Sequence, residues 1–222
     1  MQISISGGIA EVLPGCRLGY ILIDGAKVKE ASPALDSEFL AIQKQIIQEY
    51  QLETLSNIPR VVTVRAMYKK LKFDPSRYRP SSEALVRRVL QNKGLYRVNT
   101  AVDVNNYCSV KFLLPFGLYD AAHINGDISY AIAEQGSYVN IAGNEVSTEG
   151  KPFLTDQMGV FGNPTSDSRR TAVTLATSQL LAVVYAEEDA PGVWLAEVLD
   201  YTGAMLIRYN GGQVVEQGIV NV

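Results

Sequence analysis

Histidine and cysteine are scarce in this chain, and their scarcity excludes several kinds of catalytic and metal site. His123 is the only histidine, and no second histidine or cysteine lies at metal-ligand spacing, so we expect no bound metal. A serine–histidine–aspartate triad would have to use His123, yet the chain lacks a Gly-x-Ser-x-Gly turn. Cys16 and Cys108 are 92 positions apart and indicate buried free thiols, with a disulfide as the alternative.

Long apolar segments and nucleotide-binding motifs are also missing. No apolar run reaches the roughly 18 residues that a membrane-spanning helix needs, so we expect no membrane association. The first residues lack a basic segment followed by an apolar stretch, so no signal peptide is predicted and the cytoplasm is the expected location. Neither a P-loop nor a GxGxxG motif after a strand is present, so no nucleotide cofactor is expected.

The composition is that of a folded protein whose basic residues are concentrated in one segment. Hydrophobic residues make up 47% of the chain and charged residues 19%, which allows a substantial core. The net charge is −3, but residues 65–97 contain ten basic residues and only two acidic ones, Asp74 and Glu83. Such asymmetry can steer an anionic partner such as RNA, although solvated helices with basic outer faces would produce the same pattern.

Capping residues and apolar spacing predict five helices. Ser32 and Pro33 begin a helix that extends to about residue 50, and Pro59 begins another that extends to about residue 71. Ser81 or Ser82 caps a third, and Gly94 follows its end. The remaining two predicted helices are a short one opened by Asp103 or Asn105 and a last one over about residues 189–208.

Strand patterns occur at both ends of the chain and in its middle. The predicted strands are an edge strand with Ile3, Ile5 and Ile9, residues 18–23, residues 128–133, and a continuous apolar run at 180–185 that is typical of a central strand. Because helices and strands mix without a regular alternation, the predicted class is α+β, with mixed sheet layers and packed helices in one compact unit. Residues 1–55 are predicted to form an N-terminal β/α extension, and residues 56–222 the main domain.

One motif resembles a known family. The sequence Val102-Asp103-Val104-Asn105-Asn106-Tyr107, followed by Pro115 and Asp120 and preceded by the pair Arg87-Arg88 and by Gly94, is similar to the B3 region of the B3/B4 editing domain in the phenylalanyl-tRNA synthetase beta chain. The resemblance covers about residues 60–186. Residues 79–83 and 164–168 look more like freestanding B3/B4 proteins than like the domain within the synthetase.

The resemblance implies an activity and a partner. It implies a B3/B4-like fold that binds the acceptor end of tRNA and hydrolyses the ester of a mischarged aminoacyl-tRNA in trans. The chain has no room for the catalytic core of the synthetase, so it is not expected to be an aminoacyl-tRNA ligase on its own. Two alternatives are a non-catalytic tRNA-binding or RNA-binding module and a binder of a small molecule such as an amino acid or a nucleoside.

The carry-over of individual residues shows two departures from the family pattern. The family threonine corresponds to Asn105 and the pocket proline to Pro115, whereas the family histidine and glutamate correspond to Gly117 and Ala182. These departures remove groups that would orient water and recognise a tyrosine hydroxyl, so a roomier or more apolar pocket for a different amino acid is expected.

Three groups of site residues are predicted. The candidate catalytic residues are Asn105, Thr165, Ser166 and Asp167, with Asp167 as a water-orienting base. The alternative for residues 164–167 is an ordinary turn, and Asp103 is equally compatible with a helix N-cap. The candidate substrate-pocket residues are Asp103, Asn106, Pro115, Gly117, Tyr119 and Ala182. The candidate tRNA-binding residues are Arg65, Lys69, Lys70, Arg79, Arg87, Arg88 and Arg169.

Overall fold

Six α-helices, three short 3-10 helices and ten strands occur in the part of the chain that the structure, a computed structural model, describes: residues 1–187 and 189–222. The helices are α1 (Gly7–Val12), α2 (Pro33–Glu49), α3 (Pro59–Lys70), α4 (Ser81–Leu90), α5 (Thr100–Phe112) and α6 (Gly192–Asn210). The strands are β1 (Ile3–Ile5), β2 (Arg17–Asp24), β3 (Phe116–Asp120), β4 (Ile128–Ile132), β5 (Ser137–Val139), β6 (Glu145–Ser147), β7 (Pro152–Asp156), β8 (Gly159–Gly162), β9 (Gln179–Ala186) and β10 (Gln213–Asn221). The mixture confirms the predicted α+β class.

Helix α5 begins earlier than the sequence analysis predicted. Its N-cap is Asn99, whose side chain accepts a hydrogen bond from the backbone N–H of Val102. The prediction that Asp103 or Asn105 opens this helix is therefore wrong. The carboxylate of Asp103 instead accepts a hydrogen bond from the N–H of Val98 at 2.9 Å and forms an ion pair with Arg97. Asp103 thus anchors the segment that precedes the helix.

The central sheet has the strand order β10-β2-β9-β3, with every neighbouring pair antiparallel. Strand β9 is buried from Leu180 to Ala186 and lies between β2 and β3, as its continuous apolar run predicted. Strand β10 was not predicted, because most of its residues are exposed and its sequence does not alternate between apolar and polar residues.

A second sheet has the order β1-β4-β7-β8. Its edge strand β1 runs parallel to β4 and contains Ile3 and Ile5, as predicted, whereas Ile9 belongs to α1 rather than to the strand. Strands β5 and β6 form a separate antiparallel pair. Cys16 and Cys108 are buried free thiols, as expected.

The two faces of the central sheet pack against different layers. One face carries Gly19 of β2, which pairs with Val184 of β9. A Cβ added to Gly19 would lie 2.9 Å from the Leu199 side chain, so α6 packs against this face. The opposite face carries Tyr185, whose ring centroid lies 5.5 Å from that of Tyr130 in β4. A layer of aromatic side chains therefore separates the two sheets.

The first 24 residues contribute strands to both sheets, through β1 and β2. The division of the chain at residues 55 and 56 stays a prediction. None of the helices within residues 1–187 and 189–222 is both long enough and apolar enough to cross a membrane.

Deleting residues 1–24 should prevent the remaining chain from reaching the native fold. The deletion would remove β2 from between β9 and β10, together with the fully buried side chains of Leu18 and Ile21. Each such side chain contributes roughly 1.5–3 kcal/mol by burial, which is a large share of the ~5–15 kcal/mol that stabilises a domain. Near-ultraviolet circular dichroism and thermal unfolding will test this expectation. A cooperative transition at the temperature of the full chain would contradict it.

Candidate functional site

The loop that follows β8, residues 163–168, is fixed by hydrogen bonds from several elements, and we call it the 163–168 loop. The side-chain oxygen of Asn163 accepts the backbone N–H groups of Thr165 and Ser166, at 2.8 and 2.7 Å. Tyr68 of α3 donates its hydroxyl to the carbonyl oxygen of Pro164 at 2.7 Å, and Tyr138 of β5 donates to that of Ser166 at 2.8 Å. The loop therefore has a defined conformation before any ligand binds.

Asp167 turns its carboxyl group toward two buried tyrosines of the central sheet. Tyr119 donates its hydroxyl to Oδ1 of Asp167 at 2.8 Å, and the hydroxyls of Tyr119 and Tyr185 are 3.1 Å apart. Burial raises the pKa of Asp167 to about 7, although hydrogen bonds from Tyr119 and from the N–H of Asn163 act in the opposite direction. A carboxyl group with a pKa near the working pH suits proton transfer.

Two glycines make room for the Tyr119 side chain. A Cβ added to Gly117 or to Gly162 would overlap the Tyr119 hydroxyl and ring. Gly117 precedes Tyr119 by two residues in β3, so both lie on the same face of the strand, and Gly162 approaches from β8. The space that was expected to be open at Gly117 is therefore filled by the ring of Tyr119. Gly162 was not among the predicted site residues, and its role depends on a contact between strands.

Ala182 lies on the other face of the central sheet. It pairs with Ile21, whose side chain is near Gly203 of α6, so Ala182 belongs to the layer that packs on this helix. The residue of β9 that pairs with Gly117 is Val183. The structure thus does not bring Ala182 together with Gly117 and Asp167.

An aromatic cavity of about 210 Å³ opens beside the 163–168 loop. Its walls include the rings of four residues: Phe73, Tyr78, Tyr138 and Phe153. Asn163, Thr165 and Ser166 line the side formed by the loop, and Lys151 also lines the cavity. Two of the four candidate catalytic residues therefore share one cavity, and Asp167 follows them in the chain. No local sequence signal identifies the walls, because the rings come from three separate segments: the loop between α3 and α4, strand β5 and strand β7.

The candidates on and after α5 lie elsewhere. Asn105 is buried, and its side-chain oxygen has no hydrogen-bond partner within the described residues, while Asn106 is half-buried. Asp103 is engaged with Arg97, as described above. The carbonyl oxygen of Pro115 accepts the backbone N–H of Tyr185 at 3.0 Å, which aligns the start of β3 with β9. None of these four residues is among those that line the aromatic cavity.

A buried carboxylate gathers three of the candidate tRNA-binding arginines. The Glu83 side chain is 1% exposed, and both of its oxygens accept hydrogen bonds from Arg65, at 3.0 and 3.1 Å. Nε of Arg87 lies 2.8 Å and Nε of Arg79 lies 3.6 Å from one oxygen. Glu83, which the charge count set against the basic residues, therefore positions three guanidinium groups on one surface.

The other candidate tRNA-binding residues are more dispersed. Lys69 and Arg169 are exposed, and Lys70 forms an ion pair with the buried Glu187. The guanidinium of Arg88 lies 3.8 Å from the ring centroid of Tyr96. Arg170, which follows Arg169 in the chain, is engaged with Asp156 and is therefore structural.

The raised pKa of Asp167 predicts a pH-dependent stability. The folded chain has a pKa of about 7 at this residue, and the ordinary value is 3.8. Between these values the folded chain carries a proton that the unfolded chain has lost, so the free energy of unfolding falls as pH rises. Asp167→Asn removes this titration, and we expect the variant to gain stability relative to wild type between about pH 5 and about pH 8. Urea denaturation at about pH 5 and about pH 8 will measure the free energy of unfolding of both proteins. An equal difference between variant and wild type at the two pH values would contradict the raised pKa.

Comparison with known proteins identifies a domain family. The family described as the B3/4 domain matches residues 63–189, which is more than half of the chain. A search of curated proteins found no match. Among solved structures, an N-terminal fragment of the phenylalanyl-tRNA synthetase beta-subunit from Pyrococcus horikoshii is similar, with 12% identity and a TM-score of 0.45. The alignment covers 99% of this chain but only 50% of that fragment. On the strength of the family match, this chain belongs to the B3/4 domain family.

Proposed function

We propose that this protein binds the aminoacylated acceptor end of a tRNA and hydrolyses its aminoacyl ester. One observation carries the proposal: the 163–168 loop presents Thr165 and Ser166 to an aromatic cavity, and the next residue of the same loop, Asp167, carries a carboxyl group whose pKa burial raises to about 7. Membership of the B3/4 domain family and the resemblance to the synthetase editing domain support the same class of ligand. The proposed location of this activity is the cytoplasm.

The arginine cluster around Glu83 supports binding of a polyanion. Arg65, Arg79 and Arg87 share a single carboxylate, so the cluster keeps a net positive charge. Phosphate contacts of this kind provide affinity without reading the sequence of the nucleic acid. Arg79 follows Tyr78, which lines the aromatic cavity, and consecutive Cα atoms are about 3.8 Å apart. Arg79 and one wall of the aromatic cavity therefore belong to the same loop.

The aromatic cavity can take one planar or apolar group. Its volume of about 210 Å³ and its four aromatic rings suit the adenine of a terminal adenosine or the side chain of an amino acid. Asn163, Thr165 and Ser166 add polar groups at one side, which can orient the bound group.

The proposed reaction consumes one water molecule. The ionised carboxylate of Asp167 takes a proton from the water molecule while the oxygen of that water bonds to the ester carbonyl carbon. The bond between this carbon and the ribose oxygen then breaks, and the ribose oxygen receives the proton. The products are a free amino acid and a tRNA with a free terminal hydroxyl. Each carboxylate oxygen can accept more than one hydrogen bond, so the bond from Tyr119 leaves capacity for the water.

Binding without hydrolysis is the second candidate function, and one observation favours it. The hydroxyl of Thr165 donates to Tyr68 at 3.1 Å, and Asp167 accepts from Tyr119, so two candidate catalytic groups already hold the loop in place. A protein of this kind would bind aminoacyl-tRNA and leave the ester intact.

Deacylation of a panel of labelled aminoacyl-tRNAs, correctly charged and mischarged, separates the two candidates. We expect release of amino acid from one or a few species, and a rate that falls by about 10²–10⁴ in Asp167→Asn because the general base is lost. Asp200→Asn removes an exposed carboxylate of α6 and is the matched control, so its rate should equal that of wild type.

Two other results would contradict parts of the proposal. An absence of release from every species, together with tRNA binding that weakens as salt rises, would contradict hydrolysis and support binding alone. Binding that is independent of salt and unchanged in Arg87→Gln would contradict an RNA ligand and favour a small molecule.

A further inference from the structure

A second cavity lies along α4 and the segment that follows it. Its volume is about 230 Å³. The polar and aromatic residues that line it are Arg79, Arg87, Arg88, Gln91, Lys93 and Tyr96. Four of these six side chains are cationic, and no residue that lines the cavity is acidic, so we call it the cationic groove.

Two of the four cations of the cationic groove are positioned by a buried carboxylate. Glu83 is 1% exposed and lies beneath two of them, 2.8 Å from Nε of Arg87 and 3.6 Å from Nε of Arg79. The charged hydrogen bond from Arg87 to this buried carboxylate restricts the rotamers of Arg87, and Arg79 forms an ion pair with the same oxygen. Arg88 and Lys93 add further positive charge that Glu83 does not contact. The groove is thus a preorganised site with an excess of positive charge.

Arg88 has a hydrogen-bond donor without a partner among the described residues, and Tyr96 has an exposed ring surface. Nε of Arg88 is buried and has no hydrogen-bond acceptor in the part of the chain that the structure describes. A buried donor without a partner costs free energy, which a small rotation of the Arg88 guanidinium toward an oxyanion in the groove would offset. The Tyr96 ring contacts the guanidinium of Arg88 and is still 54% exposed. Its exposed part offers a surface on which a planar ring can stack.

We infer that the cationic groove binds one nucleotide of a single RNA strand. Its phosphate lies against Arg87, Arg88 and Lys93, and its base stacks on Tyr96. A nucleotide fits better than a free phosphate, because the groove combines fixed cations with an exposed aromatic ring. The inference rests on the proposed function, since the strand is the acceptor end of the tRNA.

The position of the groove indicates that this nucleotide is next to the terminal group of the strand. Tyr78 lines the aromatic cavity and its neighbour Arg79 lines the cationic groove, so the two cavities flank the same loop between α3 and α4. Hydrogen bonds from Arg65 to Ser76 and to Glu83 fix this loop to both helices. A strand whose terminal group occupies the aromatic cavity therefore has an adjoining nucleotide in the groove.

Binding of an uncharged tRNA transcript to the full chain, measured over a series of salt concentrations, tests the inference. Tyr96→Leu should raise Kd about tenfold and leave the salt dependence unchanged, because stacking is lost and charge is kept. Lys93→Gln should weaken binding and reduce the salt slope by about one. Tyr50→Leu and Lys27→Gln change the same residue types outside the groove and should bind as wild type does.

The outcomes separate the groove from the proposed function. Wild-type affinity in both Tyr96→Leu and Lys93→Gln would overturn the inference, while tRNA binding itself would still support the proposed function. If the wild-type chain fails to bind tRNA, the proposed function fails, and titration with adenosine 5′-monophosphate decides the inference. Shifts of the Tyr96 ring resonances at lower concentration than with adenosine or inorganic phosphate would support a nucleotide site, and an absence of shifts would overturn it.

Discussion

The hydrogen bond from Tyr119 to Asp167 joins the two β-sheets, and the candidate site is arranged around it. Tyr119 belongs to β3 of the central sheet, and Asp167 belongs to the loop that leaves β8 of the second sheet. The ring of Tyr119 can lie there only because Gly117 and Gly162 carry no side chains. A bond between a hydroxyl and a carboxylate contributes about 1.5–3 kcal/mol, so it links the sheets and orders the loop at once. The aromatic cavity depends on this order, since Thr165 and Ser166 form part of its lining.

The carboxylates of Asp167 and Glu83 are both shielded from solvent, the first partly and the second fully, but their surroundings differ, so they suit different roles. Asp167 faces tyrosine hydroxyls and backbone rather than a cation, and burial raises its pKa to about 7. Glu83 is surrounded by Arg65, Arg79 and Arg87, so its charge is compensated and it orders the groups of the cationic groove. The first environment suits the proton transfer that we propose, and the second suits the positioning of the proposed phosphate site. The loop between α3 and α4 connects the two cavities, which suits a ligand that carries both a phosphate and a planar or apolar group.

The sequence predicted elements whose signals are local. The apolar spacing of α2, α3, α4 and α6 was sufficient to locate these helices, as was the apolar run of β9. The predicted cap of α4 was wrong, because its N-cap is Pro80 and Ser81 and Ser82 are the first two residues of the helix. Strand β10 escaped prediction because its residues are mostly exposed and it depends on pairing with β2. The start of α5 was misplaced because Asn99 competes with Asp103 as a cap, and only the tertiary contact of Asp103 with Arg97 decides between them.

The candidate site was predictable only where neighbours in sequence are neighbours in space. Thr165, Ser166 and Asp167 form one loop, and their grouping follows from the sequence. The separation of Ala182 from Gly117 depends on the register of β3 against β9, which places the two residues on opposite faces. The walls of the aromatic cavity, from Phe73 to Phe153, come together only through the fold. The role of Glu83 likewise required its burial to be known, because a charge count treats every carboxylate as exposed.

Titration of the Asp167 carboxyl carbon by nuclear magnetic resonance, in wild type and in Tyr119→Phe, tests the central claim most directly. The substitution removes one oxygen atom and leaves the ring above Gly117 and Gly162. The account predicts a midpoint near 7 in wild type and a higher midpoint in Tyr119→Phe, because the hydrogen bond from Tyr119 favours the ionised form. A wild-type midpoint near the ordinary value of 3.8, or the same midpoint in both proteins, would contradict the account.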